Sequence, residues 1–132
     1  LTGKENLELL AKINKRIDDK KIIETMKQVN LDQSNKNKVK DYSLGMVQRL
    51  GIAQAIMEDQ KILILDEPTN ALDQNGVVSI LRLLKQKKEE GCLILISSHQ
   101  LDEIFAICDE VYQINHQNLI KVDKQEERKF NL

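Results

Sequence analysis

The stretch that most constrains this chain is Lys61 to Asp73, KILILDEPTNALD. Ile62, Leu63, Ile64 and Leu65 form an unbroken apolar run that is short and bounded by charge. Such a run reads as a strand buried on both faces, as in a parallel sheet. It ends in two adjacent carboxylates, Asp66 and Glu67. A buried carboxylate is costly unless it is paired or faces a ligand, and α/β sheets bind ligands at the carboxyl ends of their strands. Two acids at that edge suit a metal ion and a water. Asp66 is the kind of hard oxygen donor that Mg²⁺ takes while keeping part of its hydration shell. Glu67 suits the orientation of a water attacking a phosphate. The plainer alternative is a strand that ends in a solvated acidic turn. Pro68 stops the strand, and Asn70 to Asp73 turn the chain into the next helix.

Upstream, the pattern predicts a helix from Thr2 or Gly3 to about Arg16, with Leu7, Leu10, Ala11 and Ile17 near one face. A second helix, about Asp19 to Asn30, is capped by Asp18 and striped by Ile22, Met26 and Val29. Asp32 to Lys40 is polar and lysine-rich without periodicity, so it reads as a solvated loop. Leu44 to Met57 reads as a helix whose apolar residues wrap widely, which predicts deep burial. Ser43 stands at its N-cap and Gly45 in its first turn. A helix start offers unpaired N–H groups and partial positive charge, a combination that binds phosphate. Glycine there lets the backbone approach closely. The alternative is that Ser43 only caps the helix. Met46 occupies the place where a capping box needs Glu or Gln, so no box is expected.

Downstream, Asp73 caps a helix reaching about Glu90, with Val77, Ile80, Leu81 and Leu84 inward and Gly91 at its close. Cys92 to Ile96 is a second apolar strand, parallel to the first because a helix joins them. It leads to Ser97, Ser98 and His99. A lone histidine is usually structural or exposed, but His99 follows a strand end on the same edge as Asp66 and Glu67. Its imidazole suits a phosphate and the attacking water. His116 lacks that setting and reads as a turn residue. Leu101, Ile104, Phe105 and Cys108 mark a short helix, and Val111 to Ile114 and Leu119 to Val122 mark two more strands. From Asp123 the tail is polar and charged.

Composition excludes several classes. The 132 residues make one domain or part of one, and 41% hydrophobic with 31% charged residues is ordinary for a globular chain. A net charge of -1 gives no electrostatic footprint for nucleic acid, and 3% aromatics leaves little for base stacking. No apolar run approaches the ~20 residues that span a bilayer. Cys92 and Cys108 lack metal-like spacing and read as buried, reduced thiols. No G-x-x-x-x-G-K-[ST] phosphate-binding loop occurs anywhere in the sequence.

Three blocks then stand in order: DYSLGMVQR, ILILDEPTNALD and LILISSH. As an ordered set they resemble the signature motif, the Walker B strand with its D-loop, and the switch-histidine loop of the ATP-binding subunit of ABC transporters. The resemblance runs from about Leu1 to about Val122. Leu44 and Met46 depart from the commonest signature. The variant with Gln48 and Arg49 resembles subunits that export bacitracin or lantibiotics.

The resemblance implies an α/β fold: a partial P-loop NTPase core with parallel strands plus a helical subdomain. Residues 1–58 would form the helical subdomain with the signature helix, 59–123 the C-terminal part of the ATPase core, and 124–132 a charged tail. Asp66 would serve Mg²⁺, Glu67 the attacking water and His99 the γ-phosphate. Ser43 and Gly45 would contact the γ-phosphate held by the P-loop of a second subunit, with Gln48 also at the nucleotide site and Asp73 in the dimer-spanning D-loop. The implied cofactors are ATP and Mg²⁺, in the complete dimer. The implied partners are a second ATP-binding subunit and a transmembrane permease, not nucleic acid. The implied location is cytoplasmic, against the inner face of the membrane. The family carries its P-loop and Q-loop upstream of the matched region. This chain is therefore expected to be the C-terminal part of a longer subunit, inactive as an ATPase alone. The rival expectations are a soluble ABC-type ATPase acting on ribosomes or DNA, and a non-catalytic remnant.

Overall fold

A computed structural model describes residues 1–123 and 130–132. It opens with helix α1 (Gly3–Ala11), started by a capping box. Thr2 Oγ1 accepts from the Glu5 N–H at 3.2 Å, and the Glu5 carboxylate accepts from the Thr2 N–H at 3.0 Å. The helix stops well short of the expected Arg16. Asn14 Oδ1 instead accepts from the Arg16 N–H at 3.1 Å, the local competition by which asparagine breaks helices. Helix α2 (Asp19–Gln28) starts where Asp18 predicts, its carboxylate accepting from the Lys21 N–H at 2.9 Å. Helix α3 (Leu44–Ile56) completes a three-helix cluster around Leu7, Ile22, Met26, Val29, Leu50 and Ala53. Only the C-terminal half of α3 is deeply buried. Leu44 is 78% exposed and Val47 is exposed as well, which corrects the expectation of burial along its whole length.

Strands β1 (Ile62–Asp66) and β2 (Leu93–Ser97) pair in parallel, in register from Ile62 opposite Leu93 to Asp66 opposite Ser97. Helix α4 (Gln74–Glu89) joins them and buries Val77, Ile80, Leu81 and Leu84, the expected stripe. It closes at Gly91, whose φ of 96° is the left-handed turn that glycine takes without strain. Burial on both faces of the strands does not hold. Leu63 and Leu65 are buried with the helices, while Ile62, Ile64, Leu93 and Leu95 are 58–73% exposed on the opposite face. Among the described residues no element covers that face.

Helix α5 (Leu101–Ile107) follows β2, and β3 (Val111–Asn115) and β4 (Asn118–Val122) form an antiparallel hairpin. His116 and Gln117 both have positive φ at its turn, the pattern that matches the twist of the flanking strands. His116 is thus the turn residue the sequence predicts. The charged tail expected over 124–132 lies outside the described residues except for its last three. Of these, Phe130 is buried in the core, and Arg82 and Lys85 of α4 donate to the carbonyls of Asn131 and Leu132 at 3.0 and 3.2 Å. Cys92 and Cys108 are unlinked to each other, as expected, but only half-buried. Among the described residues no helix is long and apolar enough to cross a membrane.

Candidate active site at the carboxyl ends of the parallel strands

The register of β1 and β2 builds the site. Asp66, the last residue of β1, lies opposite Ser97, the last of β2, and Ser97 Oγ donates to Asp66 Oδ1. One residue further the pairing continues, with the Glu67 N–H donating to the Ser97 carbonyl at 2.8 Å. The Glu67 side chain then meets the loop after β2. Its Oε1 accepts from the His99 backbone N–H at 3.1 Å and also contacts the ring Nδ1. The His99 side chain is 93% exposed and that of Glu67 29% exposed, so the imidazole stands in solvent while the carboxylate is partly shielded. With Nδ1 turned to the carboxylate, Nε2 is the ring nitrogen left for an outside partner. Asp66, Glu67 and His99 thus share one sheet edge, as their positions in the sequence predict.

The turn after β1 is held from both sides. Thr69 is buried, and its Oγ1 donates to the Glu103 carboxylate in the first turn of α5. Across the turn, Gln48 Nε2 of α3 donates to the carbonyls of Glu67 at 3.1 Å and Pro68 at 3.0 Å. Gln48 therefore touches the backbone of the acidic segment, a contact over 19 residues that no local pattern signals. The Thr69–Glu103 pair spans 34 residues and has no local sequence signal either.

Ser43 caps α3, its Oγ accepting from the Met46 N–H at 3.2 Å, and it is exposed. Gly45 lies under the turn from Thr69 to Leu72: a Cβ on it would sit 3.1 Å from the Ala71 carbonyl oxygen. Asp73 caps α4 by accepting from the Gly76 N–H at 2.8 Å. Ser43 and Asp73 thus each have a structural duty, and neither is drawn into the Glu67–His99 cluster.

No group of three or more His, Cys, Asp or Glu able to hold a metal is present among the described residues. Asp66, with the Ser97 hydroxyl beside it, offers one exposed carboxylate. That donor set fits Mg²⁺, which commonly binds through one or two carboxylates, waters and substrate phosphates rather than a protein cage.

Residues 1–70 match the family described as ABC transporter, and the chain belongs to it. Over 119 residues it is 44% identical to the ABC transporter ATP-binding protein YybJ of Bacillus subtilis (strain 168), covering 90% of this chain and 55% of that protein. It is 43% identical to the bacitracin transport ATP-binding protein BcrA of Enterococcus faecalis, covering 92% of this chain and 40% of BcrA. It is 38% identical to the lantibiotic transport ATP-binding protein SrtF of Streptococcus pyogenes, covering 88% and 50%. Among solved structures, cbiO1 from Clostridium perfringens, part of the ABC transporter complex cbiONQ, superposes with a TM-score of 0.71 at 28% identity, covering 91% of this chain and 49% of that one. The fold is that of ABC ATPase domains, and the chain spans about half the length of the curated relatives it matches.

Proposed function

We infer that this chain supplies the signature helix and the water-activating edge of an ATP-hydrolysing subunit that drives an ABC transporter. The observation that carries this is the Glu67–His99 pairing beside Asp66 at the carboxyl ends of two parallel strands. Glu67 orients the attacking water and takes its proton, using the oxygen that His99 does not occupy. His99 fixes that carboxylate through its backbone N–H and offers Nε2 to the γ-phosphate. Asp66, with the Ser97 hydroxyl beside it, would hold Mg²⁺. The ion, when bound, neutralises charge that develops on the phosphates.

Ser43 and Gly45 offer a capped helix start to the γ-phosphate of a nucleotide held by a second ATP-binding subunit, and Asp73 lies in the segment facing that subunit. The exposure of Ser43 and Leu44 supports this, since a trans contact needs an open helix start. Residues 1–58 act as the helical subdomain, which meets a transmembrane permease from the cytoplasmic side. Residues 59–123 act as part of the ATPase core. The phosphate-cradling loop is not in this sequence, so ATP binding requires residues outside it. The names of the bacitracin and lantibiotic relatives make a peptide antibiotic the first cargo class to test.

The test is ATP hydrolysis by the full-length subunit with its permease in vesicles. Hydrolysis that depends on Mg²⁺ and is abolished by Glu67→Gln supports the reading. Turnover unaffected by that substitution overturns it.

A further inference from the structure

Glu67 holds an unusual backbone. Its φ is 48°, the left-handed region that non-glycine residues rarely enter. Such a conformation persists where the surroundings over-determine it. The Glu67 N–H is fixed by the Ser97 carbonyl at 2.8 Å, and its carbonyl accepts from the Asn70 N–H at 3.1 Å. Pro68 has no N–H to add. Besides the Thr69–Glu103 bond and the His99 N–H on its side chain, the Glu67 carbonyl and its neighbour are fastened from another element, by the Gln48 amide of α3. One amide nitrogen carries two hydrogens, so it can serve both the Glu67 and the Pro68 carbonyl at once. Gly45, nearly one turn earlier on α3, lets the same helix lie close against Ala71. Ala71 is left-handed too, with a φ of 64°. The segment with two strained residues is thus clasped by the first two turns of α3.

We propose that Gln48 is a positioning residue for Glu67, and that it makes α3 a mechanical link between the phosphate-facing Ser43 and the carboxylate of the same chain. This rests on reading Glu67 as the residue that activates water. Ser43 and Gln48 share one helix, so a pull on its start moves the amide that holds Glu67. Where Ser43 serves the nucleotide of a second subunit, Gln48 relays the filling of that site to the water-activating carboxylate of its own chain. This departs from the expectation that Gln48 contacts nucleotide directly. Its amide nitrogen is already committed to two backbone carbonyls.

The test uses the full-length subunit with Gln48→Met, which keeps length but removes the donors, and Gln48→Lys, which keeps a donor. Each is made alone and together with Glu67→Gln. Gln48→Met is expected to lower kcat by about 10- to 100-fold, the scale of a misplaced catalytic group, with KM for ATP unchanged. Gln48→Lys is expected to recover most of that loss. On the Glu67→Gln background, Gln48→Met is expected to cost nothing further. A raised KM with unchanged kcat would make Gln48 a nucleotide contact and overturn the proposal. An equal further loss on the Glu67→Gln background would do the same, because Gln48 would then act elsewhere. If Glu67→Gln alone leaves turnover intact, the water-activating reading itself has failed and the proposal goes with it. Should Gln48→Met not fold, Gln48→Glu decides the point. That side chain donates only while protonated, so its kcat should fall with rising pH relative to the parent, and parallel pH profiles would overturn the proposal.

Discussion

His99 reaches Glu67 twice, through its backbone N–H at 3.1 Å and through its ring Nδ1, and both contacts fall on the same carboxylate oxygen. The pairing follows from sheet register. With Asp66 opposite Ser97, the residue after β1 and the loop after β2 are brought to one edge. Both His99 contacts leave the other oxygen of Glu67 uninvolved in this pairing. In the full-length subunit, Glu67→Gln should keep ATP binding and slow hydrolysis by about 100-fold or more, the scale of a lost general base. Equilibrium nucleotide binding and single-turnover kinetics would check it, and near-normal turnover would remove Glu67 from the role.

Ser43 sits exposed at the start of α3 with its hydroxyl already in a capping bond. Ser43→Arg should spare mononucleotide binding by the full-length monomer yet block ATP-driven dimerisation, because a bulky cation fills the space a phosphate needs. Analytical ultracentrifugation with and without ATP would test this. An ATP-dependent dimer of undiminished stability would count against a phosphate contact at Ser43.

Thr69 is 6% exposed and bonded to Glu103, so its hydroxyl is the buried partner of a carboxylate. Thr69→Val removes that partner and should cost about 1–3 kcal/mol, the penalty of leaving a polar group unsatisfied. Thr69→Ser should cost much less. Thermal melts of the full-length subunit would show a drop of about 2 °C or more for Val. Identical melting of Val and Ser variants would deny the bond any energetic role.

The open face of β1 and β2 carries Ile62, Ile64, Leu93 and Leu95. An apolar patch beside unpaired strand edges favours association. The isolated chain of 132 residues should self-associate and should bind Mg-ATP no better than millimolar, about 4 kcal/mol. Ile64→Lys with Leu95→Lys should weaken the association. Light scattering and calorimetry would check both points. Micromolar ATP binding by a monodisperse monomer would contradict this picture.

Glu5 closes the capping box of α1, and the hydrogen bond from the Thr2 backbone holds its carboxyl below the usual value of 4.5. A carboxyl with a depressed folded pKa stabilises above its unfolded value and loses that contribution as pH falls through the folded one. Glu5→Gln keeps an acceptor but no charge. The gap in α1 protection between parent and Gln variant, read by hydrogen exchange, should therefore shrink below about pH 4.5. A gap that stays constant down to pH 2 would mean the charge plays no part.

Much of this was legible because the signals are local. Asp18, Ser43 and Asp73 name their helix starts through side-chain oxygens three residues from the amides they cap, and Gly91 marks a helix end by being the glycine where the chain turns left-handed. The shared edge of Asp66, Glu67 and His99 followed from two apolar runs joined by a helix. What was not legible depends on distant residues. No local pattern says that Gln48 will reach the carbonyls of residues 67 and 68, or that Phe130 will return to the core. Burial on both strand faces was overstated because an apolar sequence sets only the wish for cover, while cover itself depends on what packs there. The length of α1 was overstated because apolar spacing continued past Asn14, whose side chain draws the backbone out of the helix.

The left-handed backbone at Glu67 restricts which amino acids can ever occupy that position. Gly, Asn and Asp enter this conformation most easily, and β-branched side chains least. Asp would fit the backbone better, but its carboxylate would be drawn back by one methylene from His99. Position 67 is therefore under two opposed selections, conformational ease toward the shorter acid and reach toward the longer one. Val, Ile and Thr are refused by the backbone before chemistry is consulted. A random library at this codon should thus be depleted in Val, Ile and Thr among its folded members, while the Gly, Asn and Asp variants it returns would fall short of Glu in reach.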